Sequence, residues 1–278
     1  MESIWAYFDS KICTLGRSVT KNIEYTLRVL LMVYLSVRAA VLDQAQGLRT
    51  IVNVILAQIY FTGWQALPLV SVMALTTGSV LILQSMTNLS LLGGTQMIGN
   101  FLIVMVVREA GPLLVALVVV ARSGTAVASE IGNMRANREI EALESMGINP
   151  LSFIVFPRVV GGVISVVCLA LYFNVLALIG GFFITKFLQD MPFSFYLDSL
   201  MRGFAEEDVI IFFAKNSFSG MIIFVVSCYQ GLSVKKSPHE VPQVTTQAVV
   251  NSVIYVMVFN LTVTALFYLN QLRNLGVV

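Results

Sequence analysis

Three charged residues lie inside long apolar runs of this sequence, where an ionisable side chain is expensive to place. Arg108 and Glu109 interrupt the run from Met97 to Ala121, and Lys215 lies early in the run from Val209 to Leu232. A charge at such depth in a membrane costs a few kcal/mol or more unless it is paired or hydrated. Each of these residues therefore needs a partner, and a paired cluster of this kind can bind a charged ligand or fix the register of helices.

The depth of these residues indicates which of them pair. At about 1.5 Å per residue, Glu109 lies roughly 18 Å from the start of its run and Lys215 roughly 9 Å from the start of its own. Both runs are predicted to start on the same side of the membrane, and a lysine side chain covers much of the difference. We therefore expect Glu109 and Lys215 to pair. Arg108, about 100° round the helix, is expected to contact another neighbour or a lipid phosphate. A purely structural ion pair is the alternative.

A leucine-rich stretch before Arg108 supplies an apolar surface with few polar groups, which suits acyl chains. The predicted lipid-binding cavity is lined by Leu81, Gln84, Asn88, Leu89, Leu92, Arg108, Glu109 and Lys215. For any single leucine, an ordinary packed or lipid-facing helix surface is the alternative, and only the nearby charges favour a site. The glycine pairs Gly161-Gly162 and Gly180-Gly181 instead predict close packing between helices.

Known catalytic motifs do not account for this chain. The sequence has no GxxxxGK[ST] loop to hold ATP phosphates and no GxSxG. One histidine, His239, cannot supply the HExxH pair of a zinc protease. Ser233 to Lys236 match SxxK, which is weak evidence in a short polar loop. We expect no catalytic residue, no metal site and no cofactor in this chain.

Composition sets the class of protein that these residues belong to. The 278 residues are 57% hydrophobic and only 12% charged, whereas about a quarter of a soluble domain is normally charged. The sequence predicts an all-α polytopic membrane protein. Residues 1–50 are expected to form an interfacial helical segment, with a short helix from Leu27 to Leu42, and residues 51–278 a transmembrane domain.

Apolar runs of about 20 residues predict five membrane spans. Ile51 to Gly63 is interpreted as an oblique or re-entrant piece before them. The spans are then Ala66–Met86, Met97–Ala121, one within Phe153–Thr185, Val209–Leu232 and Ala248–Leu269. Thr87 to Gln96 is predicted to be an uncharged turn, and residues 186–208 an outer acidic connector with a short helix around Phe193 to Met201.

The positions of Lys and Arg give the orientation of the spans. The N-terminal segment, the loop over residues 122–157 and the Lys235-Lys236 loop carry the cations near span ends. The positive-inside rule places them in the cytoplasm. We therefore expect an inner-membrane protein with a cytoplasmic N-terminus and a periplasmic C-terminus.

The loop over residues 122–157 has the features of a docking segment. Asn137 is predicted to cap a short helix from Arg138 to Met146, and Gly147 followed by Asn149-Pro150 ends it. An ordinary solvated loop is the alternative. The residues expected to couple to a partner combine an apolar stripe, acidic side chains and the helix exit: Glu139, Ile140, Leu143, Glu144, Met146, Gly147 and Pro150.

Several short motifs follow one another along the chain. They are Arg108-Glu-Ala-Gly-Pro112, Ala121-Arg-Ser-Gly124, Glu130-Ile-Gly-Asn-Met134, Glu141-Ala-Leu-Glu144, Met146-Gly-Ile-Asn-Pro150, Pro157-Arg158 and Thr245-Thr-Gln-Ala-Val-Val-Asn-Ser252. Through these motifs the chain resembles, from about Ala66 to Leu269, the MlaE-type permeases, the membrane subunits of lipid-transporting ABC systems that work with MCE proteins.

The resemblance implies a permease that moves phospholipid between the inner and outer membranes and so serves outer membrane asymmetry. It implies a second copy of the chain, a cytoplasmic ABC ATPase dimer that binds ATP-Mg and a periplasmic ring of MCE-domain proteins. We expect no nucleic-acid partner, because the basic residues lie beside membrane spans rather than in a polybasic field. Two other functions stay open. One is a stand-alone channel or secondary transporter with Arg108, Glu109 and Lys215 along its path, and the other is a noncatalytic membrane anchor.

Overall fold

The computed structural model describes residues 20, 23–40, 48–91, 98–189, 192–235 and 237–274, and most of them are helical. Five segments are long and apolar enough to cross a membrane: Ile51–Ser85, Ile103–Ala136, Leu151–Phe187, Glu206–Leu232 and Pro238–Arg273. The predicted all-α class with five spans is confirmed. A helix over residues 23–40 fits the predicted interfacial segment, and residues 1–19, 21, 22 and 41–47 of that prediction lie outside the described chain.

The helices are numbered here in chain order. They are α1 (residues 23–40), α2 (Leu48–Thr62), α3 (Leu67–Leu91), α4 (Ile98–Leu102), α5 (Gly111–Val119), α6 (Thr125–Ala136), α7 (Glu139–Ser145), α8 (Phe156–Gln189), α9 (Phe193–Gly203), α10 (Glu206–Leu232) and α11 (Val241–Asn274). Wider π-helical turns cover Ile103–Ala110, Val120–Gly124 and Leu151–Val155. Short 3₁₀ turns cover Trp64–Ala66 and Pro238–Glu240.

The first span includes α2, which corrects the re-entrant alternative for residues 51–63, while the oblique alternative stays a prediction. Gly161 near the start of α8 lies against Ile55 and Gln58, whereas Gly78 in α3 lies against Ala177 farther along α8. Because both contacts advance in the same direction, α2 and α3 run parallel to α8 as two parts of one span. The bend between them is the short turn at Trp64–Ala66.

Helix ends differ from the predicted ends because hydropathy marks only the part of a helix that lies in hydrocarbon. Helix α3 continues to Leu91, so the predicted turn at Thr87–Gln96 starts later, and residues 92–97 are outside the described chain. The third span begins at Leu151, and α11 extends the fifth from Val241 to Asn274. The connector helix is confirmed as α9.

The predicted docking loop is mostly helical, and its first part continues the second span. Helix α6 ends that span at Ala136, so the loop itself begins at Asn137. Asn137 does not cap the next helix, because it ends α6 and Arg138 turns the chain with a left-handed φ of 62°. Gly147 ends α7 as predicted, with a φ of 75°, a conformation that glycine adopts without strain.

Close glycine contacts hold α8 at the centre of the bundle. Gly162 lies against the ring of Phe224 in α10, and Gly180 lies against Leu75 in α3. The predicted role of the two glycine pairs in helix packing is confirmed. Helix α8 packs against α2, α3 and α10, and α10 in turn packs against α6 and α11. This arrangement positions the charged residues of the second and fourth spans face to face.

Candidate functional site

The charged residues of the second span lie on a π-helical turn. Arg108 and Glu109 end the segment Ile103–Ala110, and Gly111-Pro112 begin the next α-helix. Such wide turns are frequent at functional sites because they shift side chains away from their regular α-helical positions. The turn packs against the first part of α10, where Lys215 lies.

Lys215 is the central donor of the cluster. Its side chain is only 1% exposed, and its Nζ donates to Oε1 of Glu109 at 3.1 Å and to the backbone carbonyl of Arg108 at 2.8 Å. It also donates to Oγ1 of Thr264 in α11 at 2.8 Å. The predicted pairing of Glu109 with Lys215 is therefore confirmed. Its three acceptors come from two neighbouring segments of the bundle, which fixes the position of the ammonium group.

Thr264 links the two charges. Its Oγ1 lies 3.0 Å from Oε1 and 3.2 Å from Oε2 of Glu109, within reach of either carboxylate oxygen. Glu109 keeps a side-chain exposure of 31%, so its carboxylate is bound on one side and accessible on the other.

Arg108 contacts a different neighbour from Glu109, as its position round the helix predicts. Its Nε forms an ion pair with Oδ1 of Asp208, whose side chain is fully buried at the start of α10. The other carboxylate oxygen of Asp208 accepts from the backbone N–H of Ala205 at 2.9 Å. The guanidinium of Arg108 also lies 5.0 Å from the ring centre of Phe267. Arg108 thus joins the second, fourth and fifth spans.

The four charged side chains of the cluster have no net charge, and most of them are shielded from solvent. Two cations, Arg108 and Lys215, face two carboxylates, Glu109 and Asp208, and each has a partner. In a site of low dielectric constant this balance avoids the cost of an unpaired buried charge. The accessible side of Glu109 is the part of the cluster best placed to contact a polar group of a ligand, because Lys215 and Thr264 hold the other side of its carboxylate.

The predicted apolar lining is only partly described. Leu81 packs partly buried against the core, and Gln84 is exposed. The side chains of Asn88 and Leu89, and Leu92 as a whole, fall outside the described part. Helix α3 packs against α4 and the π-helical turn of Arg108 and Glu109, so the two halves of the predicted cavity are on neighbouring segments.

The predicted coupling residues divide between two surfaces. Ile140 is 1% exposed and belongs to the core, and Leu143 packs partly buried beside it. Met146, on the same predicted stripe, is 66% exposed. The acidic residues Glu139 and Glu144 are also exposed. Helix α7 is therefore anchored to its own scaffold by one part of the stripe and presents the other part outward.

The exit from α7 is a compact double turn. The backbone N–H of Ile148 donates to the carbonyl of Leu143 at 3.0 Å, and that of Gly147 donates to Glu144 at the same distance. The side-chain oxygen of Asn149 then accepts from the N–H of Leu151 at 3.0 Å. With Pro150 directly before the third span, the turn links α7 to that span through few residues.

Sequence reasoning missed Asp208, Thr264 and Phe267. Asp208 follows Glu206 and Glu207 and so looks like part of a solvated acidic connector. The one available signal was its place in the first turn of a helix, where a carboxylate can accept a backbone N–H. Thr264 and Phe267 are ordinary residues of an apolar span, and nothing in the sequence marks them.

Comparisons with known proteins agree on one family. The family model described as Permease MlaE matches residues 55–266. A probable ABC transporter permease protein of Rickettsia felis is 34% identical over 216 residues, which cover 78% of this chain and 83% of that protein. A probable ABC transporter permease protein of Synechocystis is 28% identical over 213 residues, covering 77% and 81% respectively.

A plant protein is a more distant relative. The Arabidopsis thaliana protein TRIGALACTOSYLDIACYLGLYCEROL 1, chloroplastic, is 24% identical over 213 residues, which cover 77% of this chain and 61% of that protein.

Proposed function

Because the chain belongs to the MlaE permease family and is a transmembrane permease subunit, we propose that it moves phospholipid between the inner and outer membranes, with energy from a separate ATPase. The ATPase is a cytoplasmic dimer that binds ATP-Mg, and this chain supplies the membrane path. A second copy of the chain completes the lipid cavity at the dimer axis, and a periplasmic ring of MCE-domain proteins receives or delivers the lipid.

The observation that carries this proposal is the paired cluster of Glu109 and Lys215 within an apolar bundle. A phospholipid has a charged headgroup and apolar chains, so its site needs polar groups held beside an oily surface. Glu109 is accessible on one side, and Leu81 of the predicted lining lies on a neighbouring helix. The name of the Arabidopsis relative, which is that of a glycolipid, also supports a lipid substrate.

The orientation proposed for the chain puts α7 in the cytoplasm. Helix α1 lies at the C-terminal end of α10, where Gln230 donates to the hydroxyl of Tyr25 at 3.0 Å. Leu151, which directly follows the α7 exit, lines a cavity together with Arg28 of α1. The cation-rich segments therefore gather at one end of the bundle, which the positive-inside rule assigns to the cytoplasm. With five spans, the C-terminus is then periplasmic.

The proposed lever is α7. Its exposed Met146 and Glu144 contact the ATPase, while buried Ile140 fixes the helix to α6 and the core. Motion of the ATPase is thereby transmitted to the second span, which ends with α6 and carries Arg108 and Glu109 near its other end. It is also transmitted to the third span, which begins at Leu151.

The experiment that tests the proposal is purification of the chain from its native membrane in mild detergent, followed by mass spectrometry of partners and lipids. We expect an ATP-binding subunit and bound phospholipid. If no ATP-binding subunit copurifies, and the purified chain in vesicles transports its substrate down an ion gradient, the stand-alone transporter is established instead. A stable complex that carries no lipid would establish the membrane anchor.

A further inference from the structure

A further cavity lies near one end of the second span, whereas Glu109 lies near the other end. Its volume is about 500 Å³, within the range of ligand pockets, and it lies between α2, α6 and α8. Glu130 borders it, 21 residues beyond Glu109 on the same helical segment, or about 30 Å at 1.5 Å per residue. The two sites are therefore separated by roughly the thickness of the hydrocarbon layer.

An ion pair forms one wall of this cavity. Arg158 donates from Nη1 to Oε2 of Glu130 at 3.0 Å and from Nη2 to Oε1 at 2.7 Å. Arg158 is 9% exposed, whereas the side chain of Glu130 is 61% exposed. The pair uses two of the five N–H donors of the guanidinium, and the carboxylate has further lone pairs. The guanidinium can thus donate to an anionic group as well, and the carboxylate can accept from a cationic one.

The lining changes from polar to apolar along the helix axis. Asn53, near the start of α2, lies at the same end as Arg158, near the start of the parallel helix α8. Farther along α2 the lining includes the exposed Ala57 and Phe61 and the buried Gln58, whose amide donates to Thr62 of the same helix at 2.7 Å. Ala126 of the antiparallel helix α6 lies at that deeper level, one turn beyond Glu130. The cavity thus has a charged end toward α7 and a mainly apolar wall beyond it. That wall reaches Phe61, whose ring centre lies 5.3 Å from the guanidinium carbon of Arg122.

This order of groups matches a phospholipid in the leaflet on the α7 side. We propose that the cavity binds a glycerophospholipid whose headgroup carries both a phosphate and a protonated amine. The phosphate contacts Arg158 and the amide of Asn53, the amine contacts Glu130, and an acyl chain lies along Ala57 and Phe61. A headgroup with a phosphate and no amine would place a second negative charge beside Glu130, and Arg158 would be the one cation shared by the phosphate and the carboxylate, so it binds more weakly.

This site is independent of the proposed function, because it requires only that the α7 end of the bundle faces a phospholipid leaflet. It holds whether or not phospholipid is the transported substrate. A purely structural role for the Arg158–Glu130 pair, tying α6 to α8, predicts no preference between headgroups, which separates the two interpretations.

The test uses the full chain in vesicles that contain a trace of phosphatidylethanolamine with a photoreactive acyl chain. Mass spectrometry maps the labelled residues after illumination. We expect label on α2 and α6 near Ala57 and Ala126. Unlabelled phosphatidylethanolamine should compete roughly tenfold better than phosphatidylglycerol, as one added charge-assisted contact provides. Equal competition by the two lipids, or label absent from these helices, would overturn the proposal.

Matched variants make the result specific. Glu130→Gln should remove the headgroup preference, and Ala57→Phe should remove most of the label by filling the apolar end. Leu56→Phe changes the neighbouring residue, which lines a separate groove, and should leave labelling unchanged. Ala57→Phe labelled like the parent chain would refute the site, as would full displacement of the lipid by soluble phosphoethanolamine. If the parent chain is labelled but the complete transporter moves no phospholipid, only the proposed function is refuted.

Discussion

Nζ of Lys215 lies 3.1 Å from Oε1 of Glu109, although 106 residues separate the two along the chain. The lysine is almost fully buried and the glutamate is partly exposed, so the two partners are not equivalent. Removing the glutamate leaves a buried ammonium without its counter-ion, whereas removing the lysine leaves a carboxylate that water can still reach. The two single substitutions should therefore differ in their effect on stability.

We expect Glu109→Leu to destabilise the protein more than Lys215→Met does. Breaking a buried ion pair from one side costs about 3–5 kcal/mol, and the cost is highest when the remaining charge is the buried one. The double variant should recover part of the loss because no unpaired charge remains. Thermal unfolding in detergent measures this, and equal losses for the two single variants would contradict the assigned geometry.

Thr264→Val should weaken the cluster without changing its charge. Valine has the shape of threonine and lacks the hydroxyl, so Lys215 loses an acceptor and Glu109 loses the Thr264 donor while keeping Lys215. We expect a loss of about 1–3 kcal/mol in the free energy of unfolding. Thr262→Val provides the control, because Thr262 is exposed and bonds only within its own helix. A control variant as unstable as Thr264→Val would argue against a specific role for Thr264.

Asp208→Asn should uncouple the start of α10 from Arg108. The amide cannot neutralise the guanidinium, and the accepting oxygen that serves Ala205 becomes weaker. Glu207→Gln alters the adjacent, exposed carboxylate and should be neutral within about 0.5 kcal/mol. Hydrogen exchange of the first turn of α10 would detect the difference. Faster exchange in both variants alike would mean that Asp208 acts only through the general acidity of this connector.

The two halves of the α7 stripe should respond differently to truncation. Ile140→Ala removes a core side chain and is expected to cost about 2–5 kcal/mol. Met146→Ala removes an exposed side chain and should change stability by less than about 0.5 kcal/mol. Unfolding of the isolated permease in detergent compares them. A stability loss at Met146 as large as that at Ile140 would show that α7 is buried on both sides before any partner binds.

The sequence predicted the pairing of Glu109 and Lys215 because depth in a membrane span is readable from residue counts, and a buried charge requires a partner. It did not predict Asp208, because three consecutive acidic residues give no sign of which one is buried. Thr264 was beyond reach for a related reason: a hydroxyl within an apolar span is as often bonded to its own helix as to a neighbour.

Element boundaries show the same division. Hydropathy located all five spans, yet helices continue past the hydrocarbon, as α3 does to Leu91 and α11 to Asn274. The proposed cap at Asn137 was wrong because the left-handed turn falls on the next residue, Arg138, a conformation that composition rarely indicates for arginine. Gly147 was predictable because glycine favours that conformation.

We propose that α7 transmits work from a separate ATPase to the lipid path of this chain. Transport of a fluorescent phospholipid by the complete transporter in vesicles, recorded together with ATP hydrolysis, tests it directly. Glu144→Lys combined with Met146→Asp should abolish ATP-dependent transport and leave the permease folded, while Met146→Leu should retain it. Undiminished transport by the doubly altered protein, or transport by the permease without any ATPase, would contradict the claim.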